Sequence, residues 1–280
     1  MTGVKHSSYY YTQSTKDARE ARAHKDDQII QAIDEIRQEH GVFTAKYGYR
    51  RIAAKLREDG FKVNHKRVLR IMQEHGWLST YNNRGKRKYN SYKGTVGVVA
   101  KNLFHRRFMT DRPYQKLVSD VSEFRFGGMT QSERLYLSPV MDLFSNEILA
   151  YNISEHPTVE FTVKPLKEAL AKLPKLDYRT TVHTDQGFQY QNKQWIKVLK
   201  KYRVFQSMSR KATCLDNAAM ESFFSVMKAE MLNGFHYETK EELQEAMTSW
   251  IEFYNMDRIK TKLKGKSPVK YKELTLAKVA

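Results

Sequence analysis

The chain is 280 residues long, 40% hydrophobic and 29% charged, which suits a folded protein of one or two domains and excludes a disordered one. Its formal net charge of +18 asks for an anionic partner, and its single cysteine, Cys214, excludes an intramolecular disulfide or a cysteine-rich zinc site. It has no long uncharged apolar run and no signal-peptide core, so a protein of the reducing cytoplasm is expected, neither secreted nor membrane-spanning.

Residues 1–24 are polar with little periodicity, and read as a weakly ordered leader or as the tail of an upstream module. Ile29, Ile30, Ile33 and Ile36 then recur at helical spacing up to Gly41. A second amphipathic helix runs from Tyr49 to Gly60. Asn64 offers an N-cap to a third, His65 to His75, closed by Gly76. Three helices with short connections make residues 25–78 a helix-turn-helix candidate. On the third helix Val68, Leu69, Ile71 and Met72 fall on one side, and Lys66, Arg67, Arg70 and Gln73 on the other. An apolar back and a basic front fit a helix laid in a major groove, with Lys66, Arg67 and Arg70 as candidate DNA contacts. A charged face that is merely solvated is the plainer alternative.

Residues 79–110 hold eight Lys/Arg and no acid, with Gly, Asn, Ser and Tyr between them, and read as a basic linker. Lys86, Arg87 and Lys88 are candidate phosphate contacts, and Tyr81, Tyr89 and Tyr92 are placed to stack on unpaired bases. A flexible solvated connector is the competing reading. Residues 1–110 together carry 23 Lys/Arg against 10 Asp/Glu, and residues 111–280 carry 26 against 21. The first part is the expected electrostatic foot.

From Lys116 the pattern turns to strands. Lys116–Phe126, Glu133–Phe144 and Asn146–Ile153 read as an antiparallel meander with turns at Gly127-Gly128 and Ser145-Asn146. A helix over Phe161–Leu173, a strand over Thr180–Thr184, a helix over Asn192–Tyr202 and a short strand over Val204–Ser207 follow. Helices over Asn217–Glu230 and Lys240–Asn255 close the chain, so residues 111–280 are expected to form one α/β catalytic domain with C-terminal helices.

Three acids in this domain lie on three different elements. Asp120 sits inside an apolar strand, Asp185 ends a strand before the break at Gln186-Gly187, and Glu221 lies in a largely apolar helix. Carboxylates converging from separate elements are what metal-assisted phosphoryl transfer needs. An all-acid set without His or Cys suits Mg²⁺. Taken singly, Asp185 reads equally as a turn residue and Glu221 as a solvated helix acid. Only jointly do they point to catalysis.

The segments Val182-His-Thr-Asp-Gln-Gly-Phe-Gln-Tyr190, Ser207-Met-Ser-Arg210, Asp216-Asn-Ala-Ala-Met-Glu-Ser-Phe-Phe224 and Trp250-Ile-Glu-Phe-Tyr-Asn255 resemble the orfB transposases of bacterial insertion sequences. Those proteins are similar to retroviral integrases. The resemblance covers nearly the whole chain, including Tyr47-Gly-Tyr-Arg-Arg51; only Leu117-Val-Ser-Asp120 departs, where the family more often has Trp-x-Thr-Asp. It implies an α/β, RNase H-like integrase core behind an all-α helix-turn-helix region, with Asp120, Asp185 and Glu221 as the catalytic and metal-binding triad. It implies two Mg²⁺ ions, with Mn²⁺ as a substitute, and 3′-end cleavage followed by strand transfer. The implied partners are DNA (the element's terminal inverted repeats and the target), a second copy in a homo-oligomer on paired ends, and an orfA partner or fusion. The implied setting is the bacterial cytoplasm, at the nucleoid. Lys228, two turns beyond Glu221 on the same helical face, resembles the lysine that holds the DNA terminus.

Several residues keep two readings. Asp142 is either a structural acid or a fourth ligand, and His183 lies either near the site or in the core. Asp216 or Asn217 is expected to cap the helix of Glu221, with Asn217 otherwise orienting Glu221. Gln186-Gly187 and Gln189-Tyr190 are weaker substrate-contact candidates. Trp250 and Tyr254 are expected to pack the last helix, leaving Arg258 for phosphate. A stand-alone nuclease of the same fold would share the acids, and a silent DNA-binding repressor would use residues 25–78 alone.

Overall fold

A computed structural model describes residues 16–79, 99–130, 132–210 and 213–277, with residues 16–25 and 214–215 described by backbone alone. The chain divides into two compact units, Met1–Asn83 and Arg84–Ala280. Lys86, Arg87, Lys88 and the three linker tyrosines lie outside the described residues.

The first unit is helical: α1 (Lys16–Glu39), the single turn α2 (Val42–Ala45), α3 (Tyr49–Glu58) and α4 (His65–Glu74). Helix α1 begins inside the stretch read as a leader, earlier than its isoleucine periodicity alone reveals. Ile29, Ile33 and Ile36 are buried with Ile52, Ala53 and Leu56 of α3 and Val68, Ile71 and Met72 of α4, so each amphipathic stripe faces one small core. The side chain of Asn64 accepts a hydrogen bond from the Lys66 N–H and caps α4 as anticipated.

The second unit is built on a sheet of β1 (Lys116–Ser119), β2 (Ser122–Arg125), β3 (Arg134–Asp142), β4 (Ile148–Ser154), β5 (Thr181–Thr184) and β6 (Phe205–Met208). The stretch expected as one strand from Lys116 is divided at Asp120-Val121. Its two pieces keep a single antiparallel register against β3, Leu117↔Asp142 at one end and Arg125↔Arg134 at the other. By that register Asp120 falls opposite Pro139, which has no N–H to give a ladder. The Val121 N–H is taken up by the Asp120 carboxylate at 2.7 Å instead. Strand β4 lies on the other side of β3, while β5 runs parallel to β1 and β6 parallel to β5.

Helices α5 (Val159–Ala171), α6 (Phe188–Gln191) and α7 (Lys193–Lys201) make the parallel crossovers. Leu166 and Leu170 of α5 and Trp195 and Leu199 of α7 cluster with Leu117, Val140 and Val182 of the sheet. Pro165 interrupts α5 and leaves the Phe161 carbonyl without its helical donor. The Asn152 side chain on β4 donates to that carbonyl at 3.2 Å. Residues 100–108, part of the stretch read as linker, pack on this unit, with Phe104 buried and the Leu103 N–H bonded to the Ser207 hydroxyl.

Helices α8 (Ala218–Met231), α9 (Lys240–Met256) and α10 (Pro268–Leu276) complete the chain, α9 opening on a capping box between Thr239 and Glu242. Trp250 and Tyr254 are fully buried and stack on one another, with Phe223 of α8 edge-on to both. The Asn255 side chain accepts from the Ile148 N–H and donates to its carbonyl, both at 2.9 Å, and so stands in for a neighbouring strand at the start of β4. Arg258 is not available to phosphate: it is buried and forks onto Glu230 at 2.6 and 2.8 Å, with the Trp250 indole N–H on the same carboxylate.

Removing one member of a buried ion pair strands the other charge, at a cost of about 3–5 kcal/mol. Arg258→Ala and Glu230→Ala should each lower the unfolding free energy of the second unit, measured by urea titration, by an amount in that range. The double variant should lose much less than the sum of the two.

Candidate active site and nucleic-acid contacts

Pairing of β1 with β5 is Lys116↔Thr181, Leu117↔Val182 and Val118↔His183. Two further residues in the same register bring Asp120 level with Asp185, on one face of strands that lie about 4.8 Å apart. Each carboxylate is fixed by backbone close to it. Asp120 accepts from the Val121 N–H, and Asp185 accepts from the Gly187 N–H at 2.8 Å. A Cβ on Gly187 would stand 3.0 Å from the Asp185 oxygen, which explains the glycine. The second oxygen of Asp120 accepts from the Asn217 amide at 2.8 Å, across 97 positions of sequence.

Burial, and then the neighbouring charge of Asp185, push the Asp120 carboxyl up to about 8. Asp185 is also raised, by burial. Glu221 is exposed in the first turn of α8 and adds to the charge felt by Asp120; partial burial raises it modestly. Among the described residues no three His, Cys, Asp or Glu are gathered closely enough to hold a metal ion, and no Lys or Arg pairs with any of these three acids. The structure therefore brings two of the acids together and leaves the third at the rim.

The residues with two readings resolve. His183 belongs to the core: its ring bonds the Ser207 hydroxyl at 2.7 Å and the Asp216 carbonyl at 2.9 Å, and stacks on Phe104. Burial drives its pKa down to about 4, so the imidazole is neutral. Asp142 is buried three residues along β3 from the level of Asp120. It accepts from the Tyr114 and Phe144 N–H groups and the Ser145 hydroxyl, and organises a turn. Burial raises it to about 6.

Neither Asp216 nor Asn217 caps α8 through its side chain, contrary to expectation. Asn217 reaches Asp120 instead. Asp216 is buried and accepts from Asn102, Arg106 and Arg210, whose guanidinium hydrogen bonds hold it far below the usual carboxylate range. The Gln186 and Gln189 amides are engaged internally, by the Ser209 and Pro157 carbonyls, and Tyr190 is buried against Trp195.

Lys228 carries its ammonium 4.9 Å from the centre of the Phe124 ring. In the first unit, Lys66 is exposed, whereas Arg67 and Arg70 both bind Asp26, at 2.7 and 2.8 Å, and Arg70 also binds Glu74. No local pattern singles out Asp26, which lies more than forty positions away on α1.

This arrangement of sheet and helices is the RNase H-like integrase core, preceded by a helix-turn-helix-like region. Residues 110–214 match the integrase core domain family, residues 221–276 match a second family of the same description, and residues 24–85 match an HTH-like domain. The chain is 41% identical over 230 residues to the putative transposase InsK of insertion sequence element IS150 from Escherichia coli (strain K12), covering 82% of this chain and 78% of that protein. It is 43% identical over 222 residues to an uncharacterized transposase-like protein of Haemophilus influenzae, covering 79% of this chain and 98% of that one. The transposase InsF of IS3A from E. coli is 30% identical over 259 residues, 91% of this chain and 84% of its own. The chain belongs to the family of insertion-sequence transposases with an integrase core domain. Among solved structures, the HTLV-2 integrase catalytic core domain in complex with magnesium aligns with a TM-score of 0.45 at 16% identity, over 57% of this chain and 96% of that one. No helix among the described residues is long and apolar enough to cross a membrane.

A carboxyl whose folded pKa is raised weakens the fold at any pH above its unfolded pKa, and in full once the pH passes the folded one. The penalty is relieved as pH falls from about 8 towards its unfolded value near 4. The metal-free protein should accordingly gain stability as pH drops through that window. Each tenfold change in acidity between folded and unfolded states is worth about 1.4 kcal/mol, so Asp120→Asn should raise the Tm at pH 7.5 in EDTA and flatten its pH dependence. A lower Tm for Asp120→Asn would mean that the carboxylate is stabilising.

Proposed function

We propose that this transposase cuts the 3′ ends of its element and joins them to target DNA, using Asp120, Asp185 and Glu221 as a metal-binding catalytic triad. The carrying observation is that Asp120 and Asp185 fall level on adjacent parallel strands, held by N–H donors and opposed by no cation among the described residues. Two carboxylates raised by burial, Asp120 also by its neighbour's charge, suit a hard divalent ion such as Mg²⁺, with Mn²⁺ as substitute. When bound, a pair of such ions supplies Lewis-acid activation of the attacking oxygen and charge relief at the leaving one.

The chain's own residues do the remaining work. Asn217 and the Val121 N–H hold the Asp120 oxygens in place, and the Gly187 N–H holds Asp185. Glu221, exposed in the first turn of α8, closes the set by turning its side chain towards the pair. Lys228, further along α8, holds a phosphate of the DNA end beside the acids. Water and then the freed 3′-OH serve as nucleophiles, so no covalent link between enzyme and DNA forms.

Residues 25–78 bind the element's inverted repeats through Lys66, Arg67 and Arg70 of α4, and Lys86, Arg87 and Lys88 follow the backbone of either DNA. Residues 111–280 form the catalytic domain. A homo-oligomer holds paired ends, with an orfA partner or fusion completing the bacterial cytoplasmic machinery.

Asp120→Asn, Asp185→Asn and Glu221→Gln should each abolish cleavage and strand transfer on labelled element ends in Mg²⁺ or Mn²⁺, while DNA binding in EDTA persists. Added Mg²⁺ should raise the Tm of the wild type and not that of Asp120→Asn. Normal turnover by any of the three would remove that acid from the triad.

Asp26 competes with DNA for both arginines of α4. Asp26→Asn should tighten binding to the element's end. Arg67→Ala with Arg70→Ala should weaken it and relax sequence preference, each base-contacting arginine being worth about 1–3 kcal/mol. Unchanged affinity in both variants, measured by anisotropy, would remove α4 from the DNA interface.

A further inference from the structure

Lys116, Thr181 and Phe205 begin three mutually parallel strands, and Asp120 and Asp185 follow the far ends of two of them. At about 3.3 Å per residue the strand starts lie roughly 13 Å from the acids. There an open cavity of about 570 Å³ is lined by Lys116, Arg179, Phe205, Phe104 and Leu103 among others. Its cations are held in place by protein carbonyls. The Arg179 guanidinium lies 3.8 Å over the Phe205 ring, and its Nε is anchored on the Arg203 carbonyl at 2.9 Å. The ammonium of Lys116 donates to the carbonyls of Arg107 and Met109, and its pKa is lowered by burial and then by the nearby charge of Arg107, which outweigh the opposing charge of Asp111. Arg107, Arg179 and Arg203 are exposed, and among the described residues none of these, nor Lys116, forms an ion pair with a carboxylate. The apolar walls stay open as well, with Phe205 42% and Leu103 47% exposed.

We infer that this cavity is a second DNA-contact surface of the catalytic unit, gripping backbone phosphates of duplex DNA away from the scissile one. Like charges that outnumber the nearby acid, Asp111, raise the local potential for a polyanion. An arginine stacked on an aromatic ring keeps its planar fork pre-oriented for phosphate. The mouth is far larger than one small anion requires and is flanked by exposed apolar side chains, which suits a strand crossing it. The inference rests on the DNA reading of the chain proposed above, but not on the triad.

The test is the salt dependence of binding of a short random-sequence duplex, without element ends, to the full chain and to Arg107→Gln/Arg179→Gln. The surface predicts an affinity loss of roughly tenfold and a slope of log K against log salt shallower by about 0.9 for each phosphate no longer neutralised. Charge reversal, Arg107→Glu/Arg179→Glu, should weaken binding further, with circular dichroism melting showing an intact fold. Unchanged affinity and slope in both variants would overturn the inference, and so would weaker binding with an unchanged slope. Strand transfer by the wild type on element ends is scored separately, so a failure of the transposition chemistry is not mistaken for a failure of this surface.

Discussion

Parallel pairing of β1 with β5 dictates where the candidate chemistry lies. A one-residue slip in that ladder would turn either Asp120 or Asp185 to the opposite face, so the register and the acid pair stand or fall together. A hydrophobic pattern enforces that register: Leu117 and Val182 alternate into the core beneath α5 and α7. The acids occupy the other face, where α8 approaches. Two carboxylates so placed repel one another in a setting with little solvent to screen them. Their hydrogen-bond donors are neutral backbone and amide groups, which orient the oxygens without cancelling their charge. A fold selected for stability alone has no reason to keep that arrangement. The metal binding proposed above would supply one.

The helix carrying the third acid is held from both ends. At its start, Asp216 gathers Asn102, Arg106 and Arg210, while His183 bonds the Asp216 carbonyl from below. At its end, Glu230 is locked to Arg258 and Trp250. Tyr254 and Asn255 then tie α9 to the turn and strand around Ile148. The helix backbone is thereby fixed while Glu221 itself stays exposed. Closure of the triad proposed above would thus ask for a side-chain rotation, which is cheap compared with moving a helix.

Much of this architecture was legible in the residues because it follows local periodicity. Every strand and every helix of three turns or more from Lys116 onward carries its own pattern, and the acids announce themselves by their position on those elements. What periodicity could not disclose are contacts across long sequence separation. Asn217 looks like a helix cap and reaches Asp120. Arg258 looks like a surface cation and is buried on Glu230. Arg67 and Arg70 look like a free basic face and are clamped by Asp26. Each of these side chains lies within the expected element, but its partner is chosen by tertiary packing. Pro165 within α5 is tolerated for a similar reason, since Asn152 on a strand supplies the hydrogen bond that the helix loses.

Charge shows the same limit. Residue counts place the electrostatic foot in the first 110 positions, where Lys/Arg outnumber acids by far, and leave the remainder nearly balanced. In three dimensions, two of the most prominent cations of α4 already hold a carboxylate, that of Asp26, so residue counts overstate the charge they offer. The near balance of residues 111–280 hides a separation along the parallel strands: acids without a paired cation at one end, cations without a paired acid at the other. Such a separation costs little while the two ends stay apart and water screens the exposed one. It also creates two ends of opposite charge on one sheet, which under the function and the surface proposed above would take metal ions and phosphates respectively. A duplex held at the basic end would be oriented relative to the acids by the length of the strands between them.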